Sequence, residues 1–129
     1  NPNFVKSLFG AWYDMMSIMS KDDKAGVAAK TAMAKASGTD LKGYNAQLAS
    51  TEMFFKPAEG VAFTKDAQLI KTMDFVRKFL FAKGILGEGS KTVDAVGISF
   101  PGGKTLGDTK NIKLRFDPSY MEMAAAGKL

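Results

Sequence analysis

Cysteine and histidine are both absent from this chain. Their absence excludes disulfides, thiolate and imidazole metal sites, cysteine nucleophiles and every histidine-based triad or general base. A catalyst built from these residues would have to work with carboxylates, lysine, tyrosine, serine or threonine. Long apolar runs are missing too: the longest are a few residues, far short of the ~20 that span a bilayer. Arginine is scarce, with only Arg77 and Arg115 present. That scarcity weighs on the charge balance of +5 and the pI near 9.4. The lysines are scattered from Lys6 to Lys128 with no run of three. Arginine is the residue that best forks onto phosphates and bases. The charge therefore describes a soluble, modestly positive surface, and no nucleic-acid partner is expected. A lack of cysteine suits cytosol and periplasm equally.

What is present is ordinary globular material. The 129 residues are 46% hydrophobic and 24% charged, the balance of a single packed unit or part of a larger protein. The opening Asn1-Pro2-Asn3 shows no initiator methionine, basic n-region or apolar h-region. It reads as the continuation of a longer protein just before a helix.

Asn1 and Pro2 form an N-cap and N1 pair. Phe4, Leu8, Trp12, Met15 and Met19 follow at helical spacing, and Phe9, Tyr13 and Met16 widen the stripe beyond what a surface helix needs. Ser20 and Asp23 have capping-box spacing before an alanine-rich helix that ends at Gly38, with Asp22 and Asp23 in its first turn. Thr39 or Asp40 caps a short helix carrying Leu41, Tyr44 and Leu48. Met53-Phe54-Phe55 is too short to classify, and Pro57 to Phe63 reads as another short helix. Asp66 caps the strongest helix, with Leu69, Met73, Val76 and Leu80 on one face, Ile70, Phe75, Phe79 and Phe81 beside them, and Gly84 at its end. Trp12 and the Phe75–Phe81 group are expected in the core.

From Gly84 to Asn111 glycines break any helix, leaving loop with a short extended piece within Val93–Phe100. Ile112, Leu114 and Phe116 alternate with Lys113 and Arg115, the pattern of a half-buried strand. Asp117-Pro118 starts a last helix that ends at Gly127. A lone strand leaves its backbone groups unpaired. Its neighbour must come from Met53–Phe55, from Val93–Phe100 or from sequence outside the chain, which favours a fragment of an α/β protein.

Catalytic motifs fail on spacing. In Gly97-Ile98-Ser99-Phe100-Pro101-Gly102-Gly103-Lys104-Thr105 one residue too many separates the first glycine from Gly-Lys-Thr for a phosphate loop. Pro101 also removes an amide donor, so a glycine turn is the better account. No Ser-x-x-Lys occurs. Glu52 and Glu59 are carboxylates with nothing to set them at an acid–base separation. The expectation is a non-enzyme without metal or cofactor.

Three further stretches carry a resemblance. They are Ala34-Lys35-Ala36-Ser37-Gly38-Thr39-Asp40 with Tyr44; Val96 through Asp108; and Lys113-Leu114-Arg115-Phe116-Asp117 with Tyr120-Met121 and the closing Ala-Gly-Lys-Leu. Together with Thr72 through Phe79 and Gly84-Ile85-Leu86-Gly87, their order and spacing resemble the late portion of periplasmic solute-binding proteins. The family is that of the nitrate/sulfonate/taurine ABC transporters, in the branch associated with urea carboxylase. The resemblance implies an α/β fold, with residues 1–129 forming the C-terminal, mostly helical part of a type II periplasmic binding protein. It further implies a small polar solute of urea/guanidine, nitrate or sulfonate type, an inner-membrane ABC permease, and the remaining N-terminal part of the same protein as partners. Such proteins bind at a cleft where helix N-termini and a few side chains hold the solute.

Local chemistry, rather than correspondence with the family, singles out Thr51, Phe54, Phe55 and Glu59 as ligand-facing. They combine aromatic walls with one carboxylate in a turn-rich stretch between helices. A guanidinium would take its counter-charge from Glu59 and stack on a phenyl face. A sulfonate would need helix N-termini or lysine instead. The alternative is a stand-alone helical module that holds a partner protein through an exposed Phe/Met face.

Overall fold

The computed structural model describes residues 1–87 and 89–129. Backbone contacts cluster into two units, one of residues 1–60 with 120–129 and one of residues 61–119.

The first unit is helical. Helix α1 spans Pro2–Met19, and the Asn1 side chain accepts from the amides of Asn3 and Phe4 as its N-cap. Helix α2 spans Lys24–Ala36, and here the capping expectation is corrected. Asp23 is the N-cap, accepting from the Gly26 amide at 2.9 Å, whereas Ser20 closes α1 as its C-cap. An aspartate directly before a helix can accept from an orphan amide in the first turn, so it caps alone without the reciprocal partner of a box. Asp22 thereby falls before the helix and receives a hydrogen bond from Lys30 Nζ at 2.7 Å. Helix α3, Leu41–Ala49, is capped by Asp40. Met16, Met19 and Ala34 are buried, and the Tyr44 hydroxyl donates to the Met33 sulfur at 3.3 Å. Helix α4, Pro57–Lys65, carries the chain out of this unit.

The second unit packs helix α5, Ala67–Ala82, capped by Asp66, on a small mixed sheet. Strand β1 is Gly97–Ser99, β2 Thr105–Leu106 and β3 Ile112–Arg115, in the order β2-β1-β3. β1 runs antiparallel to β2, with Ile98 opposite Leu106, and parallel to β3, with Ile98 opposite Leu114 after a bulge. The strand at 112–115 thus finds its neighbour within Val93–Phe100, one of the sources the sequence allowed. Leu69, Ile98 and Phe100 form the buried centre, flanked by Ile70, Met73, Leu106 and Phe116. Phe100 stacks on Phe116 at 5.3 Å between ring centroids. Helix α6, Ser119–Ala125, belongs from Tyr120 onward to the first unit. Gly38, Gly84 and Gly127 stand just beyond their helices at φ 70, 69 and 64, the left-handed ends expected of them. The result is a mostly helical α/β chain. No helix among the described residues is long and apolar enough to cross a membrane.

The expected burial of the aromatic flanks is overturned. Trp12 is 58% exposed, Phe75 71% and Phe79 49%, and Phe81 is exposed as well. Periodicity identifies the face of α5 centred on Leu69 and Met73 correctly. How far the covered zone extends to either side of that face depends on the width of the partner layer, and three short strands cover little.

Among the described residues, three carboxylates ionise more readily than a free aspartate. Hydrogen bonds from Lys78 and Arg77 hold Asp74 below the ordinary range, Lys30 does so for Asp22, and the Ser119 amide for Asp117. A pKa depressed on folding adds stability above the unfolded value and loses it as pH falls through the folded one. The melting temperature should therefore hold down to about pH 5 and fall once pH drops below about 3.9, the free aspartate value. In Asp74→Asn the fall should be shallower. Circular-dichroism melts across that range check it, and equal slopes would remove Asp74 from the account.

Candidate functional site

The segment between α3 and α4 organises two cavities of the first unit. Residues 52–55 form neither helix nor strand, and their side chains divide by parity. Glu52 and Phe54 line one cavity, Thr51 and Phe55 line the other, and Met53 reaches both. Alternation of this kind belongs to an extended chain, whose successive side chains point to opposite sides.

The larger cavity, about 600 Å³, is walled by α1 through Leu8, Phe9, Trp12, Tyr13 and Met16, and by Glu52, Met53, Phe54, Gly60 and Met121. The volume suits a small molecule. Phe9 stacks on Tyr120 at 5.5 Å and meets Tyr13 at 6.4 Å with the rings tilted by 45°, so that wall is braced by a second layer. Gly60 lets α4 approach: a β-carbon there would stand 2.8 Å from the Met121 sulfur and 3.4 Å from the Tyr13 hydroxyl. Burial raises the pKa of that hydroxyl, which as an ordinary phenol is already a neutral hydrogen-bonding group. Glu52 is the one carboxylate of the lining, which holds no lysine or arginine.

The smaller cavity, about 370 Å³, contains Lys30, Asp22, Asn45 and Ser20 beside Thr51 and Phe55. The Lys30 side chain is 10% exposed, while that of its partner Asp22 is 95% exposed. The buried ammonium is thus already answered by a carboxylate reaching in from solvent. Thr51 Oγ1 donates to the Gln47 carbonyl at 2.8 Å, which closes the last turn of α3.

The four residues singled out from the sequence therefore do not meet in one place. Phe54 belongs to the larger cavity, Thr51 and Phe55 to the smaller, and Glu59 to neither. The Glu59 carboxylate accepts from the Lys56 amide at 3.1 Å in the first turn of α4, the backward reach of a capping glutamate. Sequence reasoning assigned Trp12 to the core, and it placed Glu52 on the surface, where it is exposed, without connecting it to the cavity that it lines. The legible signal for Glu52 was its two-residue spacing from Phe54, and for Trp12 its place on a stripe too wide for one neighbour to cover.

The glycine turn expected in place of a phosphate loop is present. Gly102 and Gly103 adopt φ 76 and 77, and the chain passes into β2 rather than a helix. No family model, curated protein or solved structure matches this chain. Fold and cavity together define a mostly helical α/β chain whose first unit contains a solute-sized, aromatic-walled pocket.

Proposed function

We propose that the chain is the C-terminal part of the substrate-binding component of an ABC importer, working in the periplasm. It captures a small nitrogen- or sulfur-containing solute and delivers it to an inner-membrane permease, together with the N-terminal part of the same protein. The observation that supports this most is the 600 Å³ cavity between α1 and the 52–54 segment. Its size matches a metabolite, and its lining has groups for recognition with no nucleophile–base pair. The sequence resemblance supplies the transporter context.

Trp12 is the only tryptophan of the chain, so its emission reports on this cavity alone. Titration of the full chain with guanidinium, urea, nitrate and a short alkylsulfonate, followed by tryptophan emission and melting temperature, tests the reading. A small solute that occupies the cavity should shift both signals saturably, and no response to any small solute, of these classes or another, would overturn it. A second reading, a module that holds a partner protein, is favoured by the exposed Phe4, Leu8, Trp12 and Met15 of α1. It predicts a flat response to every solute.

A further inference from the structure

We propose that the cavity beside α1 takes a compact organic cation whose charge is carried on a methylated ammonium group. This rests on the solute-binding reading and narrows it to one chemistry.

Four aromatic side chains, Phe9, Trp12, Tyr13 and Phe54, line the cavity, and Glu52, an exposed residue, is the one formally charged member of its lining. Ring faces are the negative ends of their quadrupoles and attract a cation, with tryptophan the strongest of them. Carboxylate and ring faces therefore have the same sign preference. An anion such as nitrate or a sulfonate would find neither lysine nor arginine in this lining. The net charge of +5 does not steer a cation inward, so selectivity arises at contact range, inside the roughly 8 Å over which salt screens exposed charges.

Hydrogen-bonding capacity separates the cations. A guanidinium presents several N–H donors in a fixed plane and loses their water on entry. The lining offers one carboxylate, at Glu52, and one hydroxyl, at Tyr13, so most of those donors would go unanswered at the cost of their desolvation. A methylated ammonium has no such deficit. Its charge is spread over methyl groups that pack on Leu8, Met16 and the rings, and it asks for no acceptor beyond the carboxylate. Trp12, more than half exposed, leaves ring surface at the rim for the ligand to cover.

The test uses the full chain and a pair of probes of the same shape, choline and 3,3-dimethylbutan-1-ol, which differ in nitrogen against carbon. Tryptophan emission and calorimetry follow binding, with sodium chloride matched throughout and guanidinium chloride as a third ligand. Choline should bind about tenfold or more tighter than the alcohol, and guanidinium no tighter than the alcohol. Glu52→Gln should weaken choline about fivefold to tenfold and leave the alcohol unchanged. Equal affinity for choline and the alcohol, tighter binding of guanidinium, or an indifferent Glu52→Gln variant would each overturn the proposal. In those cases the cavity still binds solutes and the broader reading stands. Silence from all three ligands and from the urea, nitrate and sulfonate series would overturn both.

Discussion

Replacing Gly107 with alanine should cost about 2–5 kcal/mol, the largest loss expected from one methyl group in the sheet-bearing unit. Two penalties add. Gly107 sits at φ 75, where a β-carbon costs about 1–2 kcal/mol. That β-carbon would also drive into the Val96 carbonyl, a backbone group with nowhere to move, and overpacking of this kind costs about 1–3 kcal/mol. The strain falls where the sheet is stitched to its loop. The Asp108 amide donates to the Asp94 carbonyl at 3.1 Å, and the Gly97 amide to Asn111 at 2.8 Å. Arg77 meanwhile bonds Asp74 at 2.8 Å and pairs with Asp94. Gly102 supplies the control. It has the same backbone conformation, φ 76, but no atom within 4 Å of its would-be β-carbon, so Gly102→Ala should lose only the left-handed cost of about 1–2 kcal/mol. Urea titrations of both variants isolate the steric part. Equal losses would mean that the close approach at Val96 does not exist.

Trp12→Ala should do the reverse, sparing the fold and stripping the cavity. With 58% of its surface in water, Trp12 contributes little to stability, and alanine is the better helix former. The change should stay within about 1 kcal/mol, against the roughly 3–5 kcal/mol expected of a buried tryptophan. Binding is a different matter. A ring that becomes desolvated over a ligand is worth about 1–2 kcal/mol, so affinity for whichever solute proves active should drop about tenfold. Calorimetry must read it, because the variant loses its only tryptophan. A large fall in melting temperature with unchanged affinity would return Trp12 to the core.

These two positions show where sequence reasoning reached and where it stopped. Helix ends were legible because they are settled by bonds between near neighbours: Asn1, Asp40 and Asp66 each accept from an amide two or three residues on. The exception, Ser20 against Asp23, arose because both are competent caps within one turn of each other and sequence alone did not rank them. Strand β3 was visible in its alternation. Its partner was only one of several options, since the parallel pairing of β3 with β1 depends on how the whole connection between them, β2 included, returns the chain beside β1. The candidate site was half legible. Aromatic residues around position 54 were recognised, yet Phe54 and Phe55 face opposite ways and Glu59 is occupied at a helix start.

Residue order by itself determined the chemistry available, the helical content, most caps and the half-buried strand, because each follows from composition or from contacts within a few residues. Tertiary structure alone decided which flank of each apolar helix stays in water and which carboxylate residue, Glu52 rather than Glu59, lines the aromatic cavity. Exposure and cavity membership are properties of neighbours brought together from distant parts of the chain, as Gly60 and Met121 are brought to Tyr13, and no local pattern encodes them.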